Sequence, residues 1–347
     1  MRRYFLVVAM LFLLVLLGGC PLAEDGADVD ELVVMTWNVQ NLMDGVVDGT
    51  EYEEYLPASG WTESAYRARL KQCLSVLTDG HVPLPHVIVL QEIENERVLC
   101  DLLSMKLARL GYRWYASTAQ CGSPIQIGVI SRLPIVTAQV HAVPDCRPVL
   151  ECEISTSSGS VVLLAVHGKS RKDGESETEA RRILLSRTIR TILRERHTAE
   201  GSAVVLVAGD FNEGPDGSAA SGGGSQTAIV EATHPRAVEF RLHGSLVVSG
   251  DGSDVMADPE LLYCPWLDDR LHFSRSGSCW FVGGWHRYDQ ILCTGSLFDG
   301  TGWEFDSFDV AVVPMQCSPD GTPYGWNIGT HTGVSDHFPV WVRLIRK

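Results

Sequence analysis

The chain reads as an α/β protein. Several short apolar runs of strand length each stop at a polar tip, and stretches of helical periodicity separate them. The clearest run is residues 203–212, AVVLVAGDFN. Its first six residues are apolar and mostly β-branched, as expected of a strand buried on both faces. It stops at Gly209 and delivers Asp210 and Asn212, two positions apart and so on the same side of an extended tip.

The remaining elements follow in order. Residues 32–38, LVVMTWN, predict the first strand, ending in the polar tip Asn38-Val39-Gln40-Asn41. Residues 63–77 predict a helix, with Leu70, Cys73, Leu74 and Leu77 on one face, where Cys73 reads as core. Residues 86–92, HVIVLQE, predict a second buried strand with Gln91-Glu92 at its end. Asn95 caps a helix carrying Leu99, Leu102, Leu103, Leu107 and Leu110. Strands are predicted at 112–117, 125–131, 149–156 and 161–167, with a hairpin turn at Ser157-Ser158-Gly159. The last of these ends in His167-Gly168-Lys169-Ser170. An amphipathic helix is predicted over 175–197, with Leu185, Ile189, Ile192 and Leu193 inward. Residues 213–285 show little organisation, and DGSAASGGGS at 216–225 reads as a low-complexity loop. Strands are expected again at 288–294, 309–314 and 338–345, the last preceded by Ser335-Asp336-His337.

The 347 residues are 45% hydrophobic and 20% charged, an ordinary globular composition. Arg2 and Arg3 precede thirteen unbroken apolar residues, Phe5 to Leu17. Crossing a bilayer takes about 20, so the run suits a signal-peptide core. Leu17-Gly18-Gly19-Cys20 resembles a bacterial lipobox, which implies cleavage before Cys20 and lipid on its thiol and amine. The plainer alternative is a secretory signal with a chance cysteine. The expected organisation is a signal peptide at 1–19, a lipidated Cys20 and tether at 20–30, and one domain at 31–347. The expected location is a bacterial membrane surface, periplasmic or outward-facing, with the domain monomeric. Removing residues 1–19 takes two arginines and no acid, so the net charge of −15 becomes −17. Such a chain lacks the bulk basic footprint of a non-specific nucleic-acid binder, although a local basic cleft or bound metal can offset that. Nine cysteines follow Cys20, an odd number whose spacing forms no zinc pattern.

The polar tips present Asn38, Glu92, His167, Asp210 with Asn212, Asp289, and Asp336 with His337. Six separate tips suggest a shared rim. Oxygen-rich sites suit hard cations, Mg²⁺ above all. A carboxylate near such an ion can take a proton from water, and Asn or charged His can donate to developing negative oxygens. No G-x-S-x-G elbow, H-E-x-x-H helix or Walker loop competes.

TWN at 36–38, QE at 91–92, HGKS at 167–170, GDFN at 209–212, YDQI at 288–291 and SDH at 335–337 resemble the ordered motifs of the endonuclease/exonuclease/phosphatase family. The resemblance spans 32–345. It implies a four-layer α/β sandwich of two packed mixed β-sheets flanked by helices, DNase I-like, with a cleft at one edge. It further implies Glu92 as the main Mg²⁺ ligand with Asn38 beside it, Mn²⁺ being able to substitute, and Asp336 close to the metal. Asp210 would orient or deprotonate the attacking water and Asn212 would hold the phosphate. Asp289 would pair with His337, and His337 and His167 would contact the phosphate. Lys169-Ser170 resembles the family's secreted nucleases more than its lipid phosphatases. Ala165 and Tyr288 depart from the family's frequent Asn and Ile. Lys169 to Lys172 form either a basic rim for a polyanion or a solvated loop. Trp280 and Trp285, flanking Gly283-Gly284, either stack on a base or close the core, with the core favoured.

The expected activity is metal-dependent phosphodiester hydrolysis by a lipid-anchored nuclease. A sphingomyelinase or other phospholipid or inositol-phosphate phosphoesterase is the alternative. An exposed apolar hairpin would favour the lipid substrate, and none is evident in the sequence. A non-catalytic adhesion lipoprotein ranks third.

Overall fold

The computed structural model describes residues 29–120, 122–201, 203–215 and 227–347. The expected signal peptide, Cys20 and the low-complexity stretch at 216–225 lie outside the described residues.

Two β-sheets face each other. The first holds six strands in the order β15-β16-β1-β2-β4-β3 and the second holds eight in the order β5-β6-β7-β8-β14-β11-β10-β9. In the first sheet the strands are β1 (Glu31–Leu42), β2 (Val87–Ile93), β3 (Trp114–Ser117), β4 (Gln126–Ser131), β15 (Trp303–Val310) and β16 (Val340–Arg346). In the second they are β5 (Ile135–His141), β6 (Val149–Thr156), β7 (Gly159–His167), β8 (Val204–Asp210), β9 (Ile229–Glu231), β10 (Leu246–Ser249), β11 (Leu261–Tyr263) and β14 (Asp289–Cys293). A small hairpin, β12 (Cys279–Phe281) with β13 (Gly284–His286), stands apart. Both large sheets mix parallel and antiparallel pairs: β1 runs parallel to β2 and β7 to β8, while β14 is antiparallel to β8.

The inner faces of the two sheets form one apolar core, in which Val34, Val89, Leu163, Leu206, Ile291 and Val342 are buried. A second core lies on the outer face of the first sheet, under the helices α1 (Glu63–Leu77) and α2 (Glu96–Met105). The third helix, α3 (Glu175–Glu200), packs Leu185, Ile189 and Ile192 against the outer face of the second sheet. Both sheets therefore carry apolar residues on both faces. This is why their central strands read as continuous hydrophobic runs rather than alternating ones. Thr62 accepts from the Ala65 N–H at the start of α1 and Asn95 accepts from the Arg97 N–H at the start of α2, so each helix begins at a capped residue. Among the described residues no helix is long and apolar enough to cross a membrane.

Several boundaries differ from expectation. Strand β5 has no apolar run because only Ile135 is buried along it. Leu107 and Leu110 lie in a 3-10 turn beyond α2 rather than on it. The strand expected at 309–314 occupies Trp303–Val310, since a bulge between Phe305 and Ser307 breaks its alternation, and Pro314–Gln316 forms a 3-10 turn. Residues 229–286 are organised after all, with β9 to β13 and the short helices Ala237–His243 and Gly252–Ala257. The eight cysteines described are free thiols, and Cys73 is buried as expected.

Candidate active site

Register brings the polar tips together. In the second sheet Asp210 of β8 lies opposite His167 of β7 on one side and Asp289 of β14 on the other. In the first sheet the end of β1, with Asn38, adjoins the end of β2. Two glycines make the approach possible. A Cβ on Gly209 would stand 1.9 Å from the Val166 carbonyl oxygen, and one on Gly168 would stand 2.2 Å from that of Phe211. Neither position has room for a side chain.

The tips also bend. Pairing shifts register between Gln91 and Ile93, and Glu92 there adopts φ 64°. Asn212 has φ 52°, a left-handed conformation that Asn tolerates and Glu adopts at a cost of about 1–3 kcal/mol. Glu92 is held in place by its contacts. Its Oε2 accepts from the Asn41 N–H at 2.9 Å and its Oε1 from Asn38 Nδ2 at 3.1 Å.

Asn38 is the link between the sheets. The same Nδ2 donates to Asp210 Oδ2 at 2.9 Å, so one carboxamide spans both carboxylates. Asp210 Oδ1 accepts from the Asn212 N–H at 2.7 Å, and Oδ2 also accepts from Asn212 Nδ2 at 3.1 Å. On the far side, His337 Nδ1 lies 2.7 Å from Asp289 Oδ2, while its Nε2 lies 4.0 Å from Asp210 Oδ2. His167 Nε2 stands 3.7 Å from both Glu92 Oε1 and Asp210 Oδ2, and its Nδ1 has no hydrogen-bond partner.

Burial sets the charges. It pushes Asp210 up to about 7; the Asp289 carboxylate adds to this, while His337 and the Asn38 amide oppose it. Burial works against the charged form of His337, yet its proton is held well above the usual range by Cys279, Asp289 and Asp210. His167 goes the other way, lowered by burial and by the charges of Arg147 and His337. The site thus holds one charged and one neutral imidazole.

Asp336 joins the rim through its backbone, donating from N–H to Gln40 Oε1 at 3.0 Å. Gln40 also accepts from the Trp326 N–H at 2.6 Å, tying the β1 tip to the 326–336 loop. Ser170 caps a short 3-10 turn, and the Lys169 carbonyl accepts from Arg182.

Several supporting residues carry no motif in the sequence. Ser278 Oγ donates to Asp289 Oδ2 at 2.6 Å, and Ser335 Oγ donates to the Asn38 carbonyl at 2.7 Å. Trp37 Nε1 donates to the His337 carbonyl at 2.9 Å. Arg182 of α3, buried, pairs with Glu213 at 2.9 Å and Glu179 at 2.6 Å and so anchors the segment after Asn212. Serine and arginine at such positions are too common to flag; only their three-dimensional partners mark them.

Of the two tryptophans expected to close the core, Trp285 does, packing against it and stacking on Phe338. Trp280 does not close the core: it is 40% exposed, as is Phe281, and Val282 at the hairpin tip is 87% exposed. This is the exposed apolar hairpin the sequence did not reveal. It adjoins the site directly, because Cys279 bridges to His337 and the Phe338 N–H donates to the Ser278 carbonyl at 2.7 Å.

The residues suit a hard divalent cation. Glu92 presents both carboxylate oxygens beside the Asn38 carboxamide, and next to them Asp210, Asp289 and His337 each offer an atom within 4.8 Å of the others. A protonated His337 has no lone pair to give, so carboxylate and carboxamide oxygens are the donors available.

Two mixed sheets packed face to face, with carboxylates, carboxamides and a carboxylate-bound imidazole meeting at their common end, define a DNase I-like phosphoesterase fold. The chain belongs to the endonuclease/exonuclease/phosphatase family, whose model matches residues 33–233. Enzymes of this family hydrolyse phosphodiester bonds and generally depend on a divalent metal. Among solved structures, sphingomyelinase C from Streptomyces griseocarneus is 16% identical with a TM-score of 0.54, over 91% of this chain and 99% of that one. A humanized D. rerio TDP2 carrying 14 mutations is 15% identical with a TM-score of 0.54, over 91% and 99%. TDP2 from Caenorhabditis elegans is 16% identical with a TM-score of 0.51, over 91% and 74%. At these identities the likeness is one of fold. No curated protein matches the sequence.

Proposed function

We propose that this chain is a metal-assisted phosphodiesterase acting on nucleic acid, exported and held at a bacterial membrane as a monomer by lipid on Cys20. The observation that carries the chemistry is the Asn38 amide shared by Glu92 and Asp210, with the Asp289–His337 pair facing the same Asp210 oxygen.

Glu92 and Asn38, with Asp336 nearby, are the residues that would hold Mg²⁺, or Mn²⁺ in its place. When bound, the cation supplies polarisation of the phosphoryl group and charge for the leaving oxygen. Asp210 takes a proton from water; at about 7 it is poised to do so near neutral pH. Charged His337 donates from Nε2 to a phosphoryl oxygen while Asp289 fixes its Nδ1. Asn212 Nδ2 turns from its Asp210 and Gly168 acceptors to the phosphate. Neutral His167 stands as a second imidazole beside Glu92.

The nucleic-acid reading is supported by cations gathered next to Asn212 in an acidic chain. Arg171 donates from Nε to the Asn212 carbonyl at 2.8 Å and lies over the Tyr288 ring, with Lys169 and exposed Lys172 alongside. A phospholipid substrate is the second reading, favoured by the exposed Trp280–Val282 tip beside His337. Incubation with plasmid DNA and with sphingomyelin vesicles, each with Mg²⁺ or EDTA, separates the two. The nucleic-acid reading expects Mg²⁺-dependent DNA cleavage abolished by Asp210→Asn; release from vesicles alone, sensitive to Trp280→Ala with Phe281→Ala, would replace it.

A further inference from the structure

A second group of acids shares no residue with the site above. Asp48, Glu51 and Glu94 each present a carboxylate oxygen within 4.8 Å of the other two. They come from two places: the loop after β1, and the residue just past the end of β2. Asp48 is exposed, Glu51 half-buried and Glu94 only 2% exposed.

Glu94 is the informative member. Its Oε2 accepts from the Asp44 N–H at 2.5 Å. Its Oε1 is buried and has no hydrogen-bond partner. A buried carboxylate oxygen is costly unless a donor, a proton or a cation meets it. The nearby cation, Arg97, answers other acids: it reaches Asp44 at 3.5 Å and Glu63 at 2.9 Å. Three carboxylates therefore crowd one another, and the most enclosed of them, Glu94, keeps one buried oxygen without a partner.

We propose that Asp48, Glu51 and Glu94 form a calcium site. The donors are all hard oxygens, without imidazole or thiolate, which disfavours zinc and copper. Ca²⁺ takes 6–8 oxygens in flexible geometry, so three carboxylates from a loop and a strand end, completed by backbone carbonyls and water, suit it. Mg²⁺ demands a tighter octahedron and prefers to keep its waters. Such an ion would fasten the loop after β1 to the strand end that carries Glu92, two residues before Glu94.

The test uses the full-length protein stripped with EDTA. Thermal midpoints are measured with and without CaCl₂ for the natural chain, Glu92→Gln, Glu94→Gln and the double variant Asp48→Asn with Glu51→Gln. Terbium luminescence, sensitised by Trp61 whose Nε1 donates to the Asp44 carbonyl at 2.6 Å, reports occupancy directly. Calcium is expected to raise the midpoint by at least about 3 °C in the natural chain and in Glu92→Gln. It should displace terbium from both. The rise and the terbium signal should vanish in Glu94→Gln and in the double variant. If Glu94→Gln fails to fold, the double variant, which leaves the buried acid intact, decides. An equal calcium response in the double variant overturns the proposal. So does no response in the natural chain, the result expected if Glu94 simply carries a proton.

Discussion

His337 Nδ1 stands 2.7 Å from Asp289 Oδ2, a contact between residues 48 positions apart. Asp289 is fully buried and Ser278 donates to the same oxygen, so the imidazole is fixed in direction and kept charged. Asp289→Asn keeps the shape but removes the charge. It is expected to lower kcat by about 10²–10⁴-fold with a small effect on KM, measured on a soluble phosphodiester at saturating Mg²⁺.

The Asn38 bridge predicts a pH effect. Asp210 is raised to about 7 chiefly by burial, and the Asn38 amide works against that rise. The base form of Asp210 accumulates as pH increases, so kcat/KM is expected to climb through an acidic limb at or below about 7. Asn38→Ala removes a donor that favours the carboxylate. The limb should move to higher pH by about one unit, which a pH–rate profile of the two proteins will show.

Arg182 is predicted to matter for folding rather than chemistry. It is 1% exposed and satisfies two acids, Glu213 and Glu179. Arg182→Met leaves both buried without a counter-charge, at a cost of about 3–5 kcal/mol in urea unfolding. Adding Glu179→Gln and Glu213→Gln should recover most of that loss. If the single variant is as stable as the natural chain, the network is not structural.

His86 gives a separate pH signature in stability. Burial lowers its pKa to about 4, helped by the charge of Arg132, and its Nδ1 accepts from the Val33 N–H at 3.0 Å. The unfolded chain protonates this histidine near 6.5 whereas the folded chain resists until about 4. Stability from this group is therefore fully present above pH 6.5, falls between 6.5 and 4, and is gone below that. The change is about 3 kcal/mol. His86→Asn should flatten the unfolding free energy over that window.

Much of the core scaffold was legible in the sequence. Helix α1 lies where its periodicity places it, and β1, β2, β7 and β8 follow their apolar runs because strands covered on both faces must be hydrophobic throughout. Elements without such a run were hidden. Strand β5 buries one residue, and β9 to β13 are three or four residues each, too short to impose a period.

The sequence by itself determined which strands end in chemistry-bearing residues and in what order, because the alternation of apolar body and polar tip is a local property. Only the tertiary structure decided what those residues do to one another. Strand register sets Asp210 between His167 and Asp289, burial keeps His167 neutral while the acids around His337 overcome burial and keep it charged, and the fold turns Trp280 and Phe281 outward. Burial and charge coupling depend on neighbours far away in the chain, and an apolar residue in sequence looks the same whether the fold covers it or leaves it in water.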